Sequence, residues 1–565
     1  MNKCYNDFTD VSLFNFRLEI KMSKIRMFGL GGLNESGKNT YVIEIDDKIF
    51  VMDCGLKYAT DSMYGIDYII PNYRYLIENK DRVVGIFLTH AHQENMGGVF
   101  DLIKDIPNIK LYCTKYTKEY LLLDGMNEKN IIEIKAHKKI SFGDVSVFPI
   151  NVSHSVPDAV MFVINTKDGA ICYTGDFIID PTMSGAYAMD LGKIAYIGKQ
   201  GVLCLLSEST FSEISGHTSP HHRLTNWFKD TINHADGRLI IATLPVHLHM
   251  IQEIFDASKN MHRKVIIMGK KLQNIVNMAI KNNYLDVDKN VIGDLSDIDS
   301  QKSILLVCED RAKPFATVDK IVNGVDKFIK LKPTDTIVFA EPLYDAAEKT
   351  LVHIQDEIAM QGAQSLTIPK DKTILHHASQ EDLMIMLNLV KPEYYMPVKG
   401  EYRLMVNNAN LASSLGMTPD KIILKQNGDI VEFIDGKLQD KFETMTVEDV
   451  LIDGKSSDDV GELVIKDREM LGENGIMLIS ATLDKQTKRI LVGPEITTRG
   501  FIYVKDSLEM LEEIKRIATE IIDANTTPNY VDYNQIKNEI RESLSKYFYH
   551  ETECKPMIIA VIQEV

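Results

Sequence analysis

Short runs of β-branched and apolar residues, each closed by Gly, Asp or Pro, recur from Ile25 onward: Ile49 to Met52, Val83 to Leu88, Ala170 to Tyr173 and Val202 to Leu206. Runs this short and this uniformly apolar predict buried strands. A second series, Leu239 to Ala242, Val265 to Met268, Ile304 to Val307 and Thr336 to Phe339, alternates with helical stretches such as Leu248 to Ser258. That alternation implies an α/β unit with a largely parallel sheet. Farther on, Leu508, Leu511, Ile514, Ile517 and Ile521 recur at helical spacing, as do Ile536, Ile540, Leu544 and Phe548. Two amphipathic helices follow. With strands expected at Gly475 to Thr482, Ile490 to Val492, Gly500 to Val504 and Pro556 to Val561, the C-terminal part reads as a compact α+β domain. The charged stretch Asp449 to Asp459 is the expected linker or edge of it.

A chain of 565 residues is too long for one ordinary domain, and at about 100–200 residues per domain it holds three or four. Its 45% hydrophobic and 25% charged residues are those of an average globular protein, so neither a disordered nor a membrane class is suggested. No run approaches the roughly 18 apolar residues of a membrane span, and the start lacks a signal peptide's apolar core. The chain is expected in the cytoplasm. Residues 1–21 show no clear period and read as an N-terminal extension, with Met22 as the expected natural start. Seven scattered cysteines without a C-x-x-C pair read as reduced, mostly buried thiols. A net charge of −17 argues against non-specific attraction to phosphate backbones, but leaves room for RNA in a locally basic cleft.

Gly32-Leu33-Asn34-Glu35-Ser36-Gly37-Lys38-Asn39 comes within one residue of a phosphate loop. Such a loop needs a helix directly after it. Thr40 to Ile45 alternates like a strand instead, so a glycine-rich hairpin is expected. More informative is Thr89-His90-Ala91-His92-Gln93-Glu94-Asn95-Met96-Gly97-Gly98, where a strand ends and two histidines follow at i and i+2. On an extended turn both imidazoles face one point. Alone, such a pair is more often polar surface than a metal site. Two other strand ends, however, supply His154 in Ser153-His154-Ser155-Val156-Pro157-Asp158 and Asp176 in Thr174-Gly175-Asp176-Phe177. Three histidines and an aspartate suit zinc.

This order of motifs resembles the metallo-β-lactamase superfamily, whose αββα sandwich carries metals at one edge. The resemblance narrows at Leu205-Leu206-Ser207-Glu208-Ser209-Thr210, Ala378-Ser379-Gln380-Glu381-Asp382-Leu383, Met396-Pro397-Val398-Lys399-Gly400-Glu401-Tyr402 and Gly493-Pro494-Glu495-Ile496-Thr497-Thr498-Arg499-Gly500-Phe501. These look like the ribonuclease J family, from about Ile25 to Val565. The family's architecture implies residues 22–208 and 371–445 as a split metallo-β-lactamase domain, 209–370 as an inserted β-CASP α/β domain, and 446–565 as a linker with a C-terminal α+β domain.

The departures from the family pattern are concentrated at one place. The family's first cluster reads H-x-H-x-D-H, but its last two positions here are Glu94 and Asn95. The histidine of its later P-V-H-G-E-Y motif is Lys399. The resemblance assigns one ion to His90, His92, His154 and a shared Asp176, and the second to Asp176 with the three altered positions. A neutral amide and an ammonium are poor replacements for ligands. At most one ion per chain is therefore expected, zinc by preference, with manganese or magnesium as alternatives. Lys399 is expected to fill part of the vacated space and pair with Asp176 or Glu94. Glu94 is a weak candidate base, and Glu208 is expected to steady a ligand histidine through its second ring nitrogen.

The phosphate-binding segments differ too. Where the family has a G-S-Q-G-E-P run the chain reads Cys308-Glu309-Asp310-Arg311-Ala312-Lys313-Pro314, S-N-L-H-R appears as Val246-His247-Leu248-His249-Met250, and S-G-H-A-S as Leu375-His376-His377-Ala378-Ser379. His249, His377, Ala378 and Ser379 match positions that contact RNA phosphate, with His377 also a candidate catalytic residue; inherited structural roles weigh equally. The pattern is similar to the second, catalytically degenerate paralogue beside an active one in many Gram-positive bacteria. It implies a protein of messenger-RNA decay and ribosomal-RNA maturation, weak or inactive alone. Its expected partners are the active paralogue, in a homodimer or hetero-tetramer, RNA, and other RNA-degradation proteins. A slow 5′-to-3′ exonuclease and endonuclease, or an RNA-binding scaffold, are the rival readings. The C-terminal helices are expected to pack on their own sheet, with assembly the alternative.

Overall fold

The computed structural model describes residues 23–59, 63–309, 313–340, 347–372, 375–454, 462–501, 508–527 and 530–565. The expected N-terminal extension and the start at Met22 lie outside the described residues, as does most of the expected strand Gly500 to Val504. The chain divides into two compact units. One spans Met1–Lys57, Pro71–Leu343 and Lys349–Glu448; the other spans Tyr58–Ile70, Tyr344–Glu348 and Asp449–Val565.

The first unit is built on two mixed sheets. In one, Lys24–Gly31, Thr40–Ile45 and Lys48–Met52 run antiparallel, and Val83–Phe87, Leu111–Cys113 and Ile131–Glu133 continue in parallel. In the other, the order is Tyr394–Val398, Val202–Glu208, Gly169–Tyr173, Val160–Thr166, Val145–Asn151 and Ile140–Phe142. Successive residues of a strand point to opposite faces. Val160, Phe162 and Ile164 accordingly join Phe50, Phe87 and Leu206 between the sheets. Met161 and Val163 turn outward onto Ile194, Leu383 and Met386 of the helices Leu191–Gln200 and Gln380–Val390. Burial on both faces is why these strands contain so few polar residues.

Within the same unit lies a five-stranded parallel sheet, ordered Lys264–Ile267, Ser303–Cys308, Leu239–Thr243, Thr336–Ala340 and Gln364–Thr367. The last strand is absent from the sequence reading. It is an edge strand with mostly exposed residues, so it lacks the apolar signature of the others. The Gly32–Asn39 segment joins two antiparallel strands, as a hairpin loop rather than a phosphate loop. Gly32 and Gly37 take φ of 89° and 95° there, the left-handed region open to glycine.

In the second unit, Ile476–Leu483 pairs antiparallel with Ile490–Arg499 and parallel with Met557–Glu564. Leu511, Ile514, Ala518 and Ile522 of the helix Leu508–Ala524 share a core with Ile536, Ile540, Leu544 and Phe548 of Tyr533–Thr552 and with Met477, Ile479 and Leu483 of the sheet. The apolar stripes are thus used on their own sheet. One expectation needs correction. Ile490–Arg499 is one ten-residue strand rather than a short one ending at Val492, because Glu495 to Arg499 complete the pairing with Ile476 to Ser480. Of the stretch expected as linker or edge, Asp449–Ile452 is a strand, with Asp67 N–H donating to the Ile452 carbonyl at 2.9 Å, and residues 455–459 lie outside the described residues. The helix Glu462–Asn474 escaped the sequence reading because Leu463, Val464, Met470 and Leu471 remain exposed and form no buried stripe.

Candidate metal centre

The site residues follow the ends of strands. His90 and His92 come after Val83–Phe87, His154 after Val145–Asn151, Asp176 after Gly169–Tyr173, and Lys399 after Tyr394–Val398, while Glu208 ends Val202–Glu208. Carboxyl ends of strands are where α/β sheets leave a crevice. His90, His92, His154 and Asp176 are all buried and offer ligand atoms within 4.8 Å of one another. The three imidazole rings stand 4.6 to 4.8 Å apart, centre to centre. His90 Nε2 faces Asp176 Oδ2 at 3.4 Å, and both atoms are buried without a hydrogen-bond partner. Orphaned lone pairs in such a place cost about 1–3 kcal/mol each. A divalent cation satisfies both, so the donor set fits a metal ion.

Supporting groups aim these ligands. His90 Nδ1 lies 2.8 Å from Thr89 Oγ1, which is 3.0 Å from both carboxylate oxygens of Asp53. Asp53 also accepts from Thr89 N–H, Asn95 Nδ2 and Tyr173 O–H at 2.7 to 2.8 Å. His154 Nδ1 donates to the His376 carbonyl at 2.8 Å. Burial, with the neighbouring imidazoles, holds both His92 and His154 well below the ordinary histidine pKa. Both rings are therefore neutral, as ligands must be.

Lys399 and Asn95 stand against this donor set. Lys399 Nζ donates to Asp176 Oδ1 and lies 3.4 Å from Asn95 Oδ1. Asp176, one of the two partners expected for it, is bonded to it. Burial opposes the ammonium's charge, but Asp176, Glu208 and Glu94 outweigh burial and raise its pKa. Burial likewise disfavours the Asp176 carboxylate, yet Lys399 and His377 hold it well below the usual carboxylate range. Asn95 ties Lys399 to Asp53. Half-buried Glu94 takes the Asn39 N–H on its main-chain carbonyl at 3.0 Å. Lys399 itself adopts a left-handed φ of 59°, and its N–H donates to the Gly32 carbonyl of the hairpin loop at 2.9 Å.

Glu208, expected to steady a ligand histidine, bonds His377 rather than His90, His92 or His154. Its Oε2 pairs with His377 Nδ1 at 2.7 Å and its Oε1 accepts from Phe177 N–H at 2.8 Å and Ala378 N–H at 3.3 Å. The second nitrogens of His90 and His154 are instead taken by Thr89 and a main-chain carbonyl, groups with no sequence signature. His377 also lies 3.8 Å from Asp176. Burial works against its charged form, but Glu208 and Asp176 prevail and raise its pKa. Ser379 Oγ bonds Thr218 Oγ1 at 2.8 Å at the head of the helix Gln380–Val390. His249 stands apart from His377, packed against the rings of His222, His376 and Tyr187. Burial pushes its pKa down to about 4, so at neutral pH it brings no positive charge. Of the segment Glu309 to Pro314, residues 310–312 lie outside the described residues.

Comparison with known families matches three stretches of the chain. The metallo-β-lactamase superfamily model matches residues 33–196, the ribonuclease J β-CASP domain 236–358, and the ribonuclease J C-terminal domain 463–565. Ribonuclease J2 of Bacillus subtilis strain 168 is 36% identical over 551 residues, covering 96% of this chain and 99% of that protein. The chain belongs to the ribonuclease J family. Ribonuclease J 2 of Staphylococcus saprophyticus is 33% identical over 553 residues, with the same coverage. A solved protein of unknown function from Enterococcus faecalis V583 shares the fold alone, at 15% identity and a TM-score of 0.50, covering 73% of this chain and all of its own. The two sheets described above are thus the metallo-β-lactamase sandwich, a fold that with this donor set implies a metal cofactor. No helix among the described residues is long and apolar enough to cross a membrane.

Proposed function

We propose that this ribonuclease J is a protein of RNA decay and ribosomal-RNA maturation in the cytoplasm, weak or inactive as a nuclease alone, and the partner of an active paralogue. The observation that carries this reading is the Lys399 ammonium bonded to Asp176 Oδ1. In a two-metal site that oxygen would be shared with a second ion, and two ions about 3.5–4 Å apart would activate water and stabilise the attacking and leaving oxygens of a phosphodiester. Here the two oxygens of Asp176 serve different halves. Oδ1 holds Lys399, while Oδ2 is turned to His90 and the intact donor set.

Charge supports the same reading. The Lys399 ammonium and the His377 ring both face the carboxylates of Asp176 and Glu208, which sets basic groups in place of a second divalent ion without supplying its open coordination positions. A charged lysine donates hydrogen bonds but has neither a vacant coordination position to activate a water nor a lone pair to take its proton. His90, His92, His154 and Asp176 then hold a single ion, for which zinc is the best fit. His377 can still donate a hydrogen bond to a phosphate oxygen from its free ring nitrogen, so RNA binding survives the loss of cleavage.

The partner role is tested by mixing the purified chain with the active ribonuclease J paralogue of the same cell and weighing the products by native mass spectrometry. A mixed oligomer containing both chains is expected. Recovery of separate homo-oligomers alone contradicts the role.

A further inference from the structure

We propose that Tyr284 and Arg223 are positioning residues through which the β-CASP segment grips the two loops that carry His154 and Asp176, so that seating of that segment and metal binding favour each other. The proposal rests on the reading that His90, His92, His154 and Asp176 hold one ion. Each of the two loops has an aspartate four positions after its ligand, Asp158 after His154 and Asp180 after Asp176. Asp158 is aimed by its own surroundings. Thr114 Oγ1 donates to its carbonyl at 2.9 Å, its N–H donates to the Ala186 carbonyl at 2.7 Å, and its φ is a left-handed 57°. Its Oδ2 then accepts the Tyr284 O–H. Tyr284 comes three residues after the helix Lys270–Lys281, within the stretch that matches the β-CASP domain, and its ring meets that of Tyr116 edge-on at 5.3 Å.

Asp180 is buried and receives Arg223. The guanidinium donates from Nη2 to both carboxylate oxygens, at 2.9 and 2.7 Å, and from Nε to Oδ2 at 3.3 Å, a fork that fixes orientation as well as distance. Arg223 is fastened in turn to the β-CASP segment, because the N–H groups of Leu224 and Thr225 donate to Glu253 Oε1 of the helix Leu248–Asn260 at 3.0 Å each. The first turn of that helix adds a third hold. His249 N–H donates at 3.2 Å to the carbonyl of Ser155, the residue after His154. The rings of His222 and His249 also stand 5.0 and 5.4 Å from that of His376, whose carbonyl lies 2.8 Å from His154 Nδ1. A metal ion accepts ligand distances only within about 0.2 Å. A shift of the β-CASP segment that breaks these bonds leaves both ligand loops without their outer support. By linkage, the factor by which seating strengthens metal binding is the factor by which the metal strengthens seating.

The test uses the full chain. Tyr284→Phe combined with Arg223→Gln removes both grips and keeps the aromatic ring. It is expected to weaken zinc binding about 5–150-fold in chelator competition, the usual size of coupling between distinct sites. In wild type, zinc is expected to slow amide hydrogen exchange at residues 222–225 and 248–253; in the double variant it is expected to leave that exchange unchanged. Side chains that only stabilise the fold would alter exchange without zinc but not its response to zinc. Unchanged zinc affinity in the double variant, or wild-type exchange at those residues that zinc does not slow, overturns the coupling, and the wild-type measurement decides even where the double variant fails to fold. A wild-type chain that takes up no zinc overturns the one-ion reading, and the coupling with it.

Discussion

Replacing Asp176 with alanine is expected to destabilise the chain by about 3–5 kcal/mol, the range for removing one partner of a buried ion pair. Asp176 is fully buried, and Lys399 is nearly so. Without the carboxylate the ammonium keeps the Asn95 Oδ1 acceptor at 3.4 Å and the charges of Glu208 and Glu94. Adding Lys399→Met removes the stranded charge and should recover most of the loss, because both ions pay desolvation on burial. The measurement is a double-mutant cycle of denaturant midpoints on metal-free protein. A loss below about 1 kcal/mol for Asp176→Ala, or strictly additive effects of the two changes, is inconsistent with a tight pair.

The second large effect is a gain. Asn95→His with Lys399→His, in a Glu94→Asp background, is expected to raise tightly bound metal by one equivalent per chain. The change replaces an amide and an ammonium with imidazole lone pairs, and it releases Asp176 Oδ1 for an ion. Histidine is among the residues better tolerated at the left-handed φ of position 399. The cost is the buried Asn95 hydrogen bond to the Asp53 carboxylate, about 1.5–3 kcal/mol. Cleavage need not return with the metal. His249 is held neutral in an aromatic cluster, and the Glu309 to Pro314 segment lacks the glycines that bring backbone amides to a phosphate. Restored metal without restored cleavage locates the remaining defect in those segments; metal uptake that does not rise refutes the assignment of the second site.

Much of this was legible in the sequence because burial on both faces leaves a plain apolar record. Ile49 to Met52, Leu239 to Ala242 and Thr336 to Phe339 all lie within strands of the fold. Gln364–Thr367 and Glu462–Asn474 were illegible for the opposite reason, since exposed elements carry no such stripe. The ligand types of the metal centre could be read from their motifs. Their supports could not, because Thr89 finds Asp53 36 positions away and His154 finds the His376 carbonyl 222 positions away. Nor does sequence order say which acid a lysine will meet. Asp176 and Glu94 were equal candidates for Lys399 until the strand ends set Asp176 against it.

The most direct test measures metal content and nuclease turnover on one preparation of the purified chain, with 5′-monophosphorylated RNA as substrate and His90→Ala as control. A single structural ion beside a lysine-filled half-site predicts no more than one equivalent of zinc in wild type. It also predicts turnover far below that of the active paralogue and little changed by His90→Ala. Two tightly bound equivalents, or turnover matching the active paralogue and abolished by His90→Ala, contradict it.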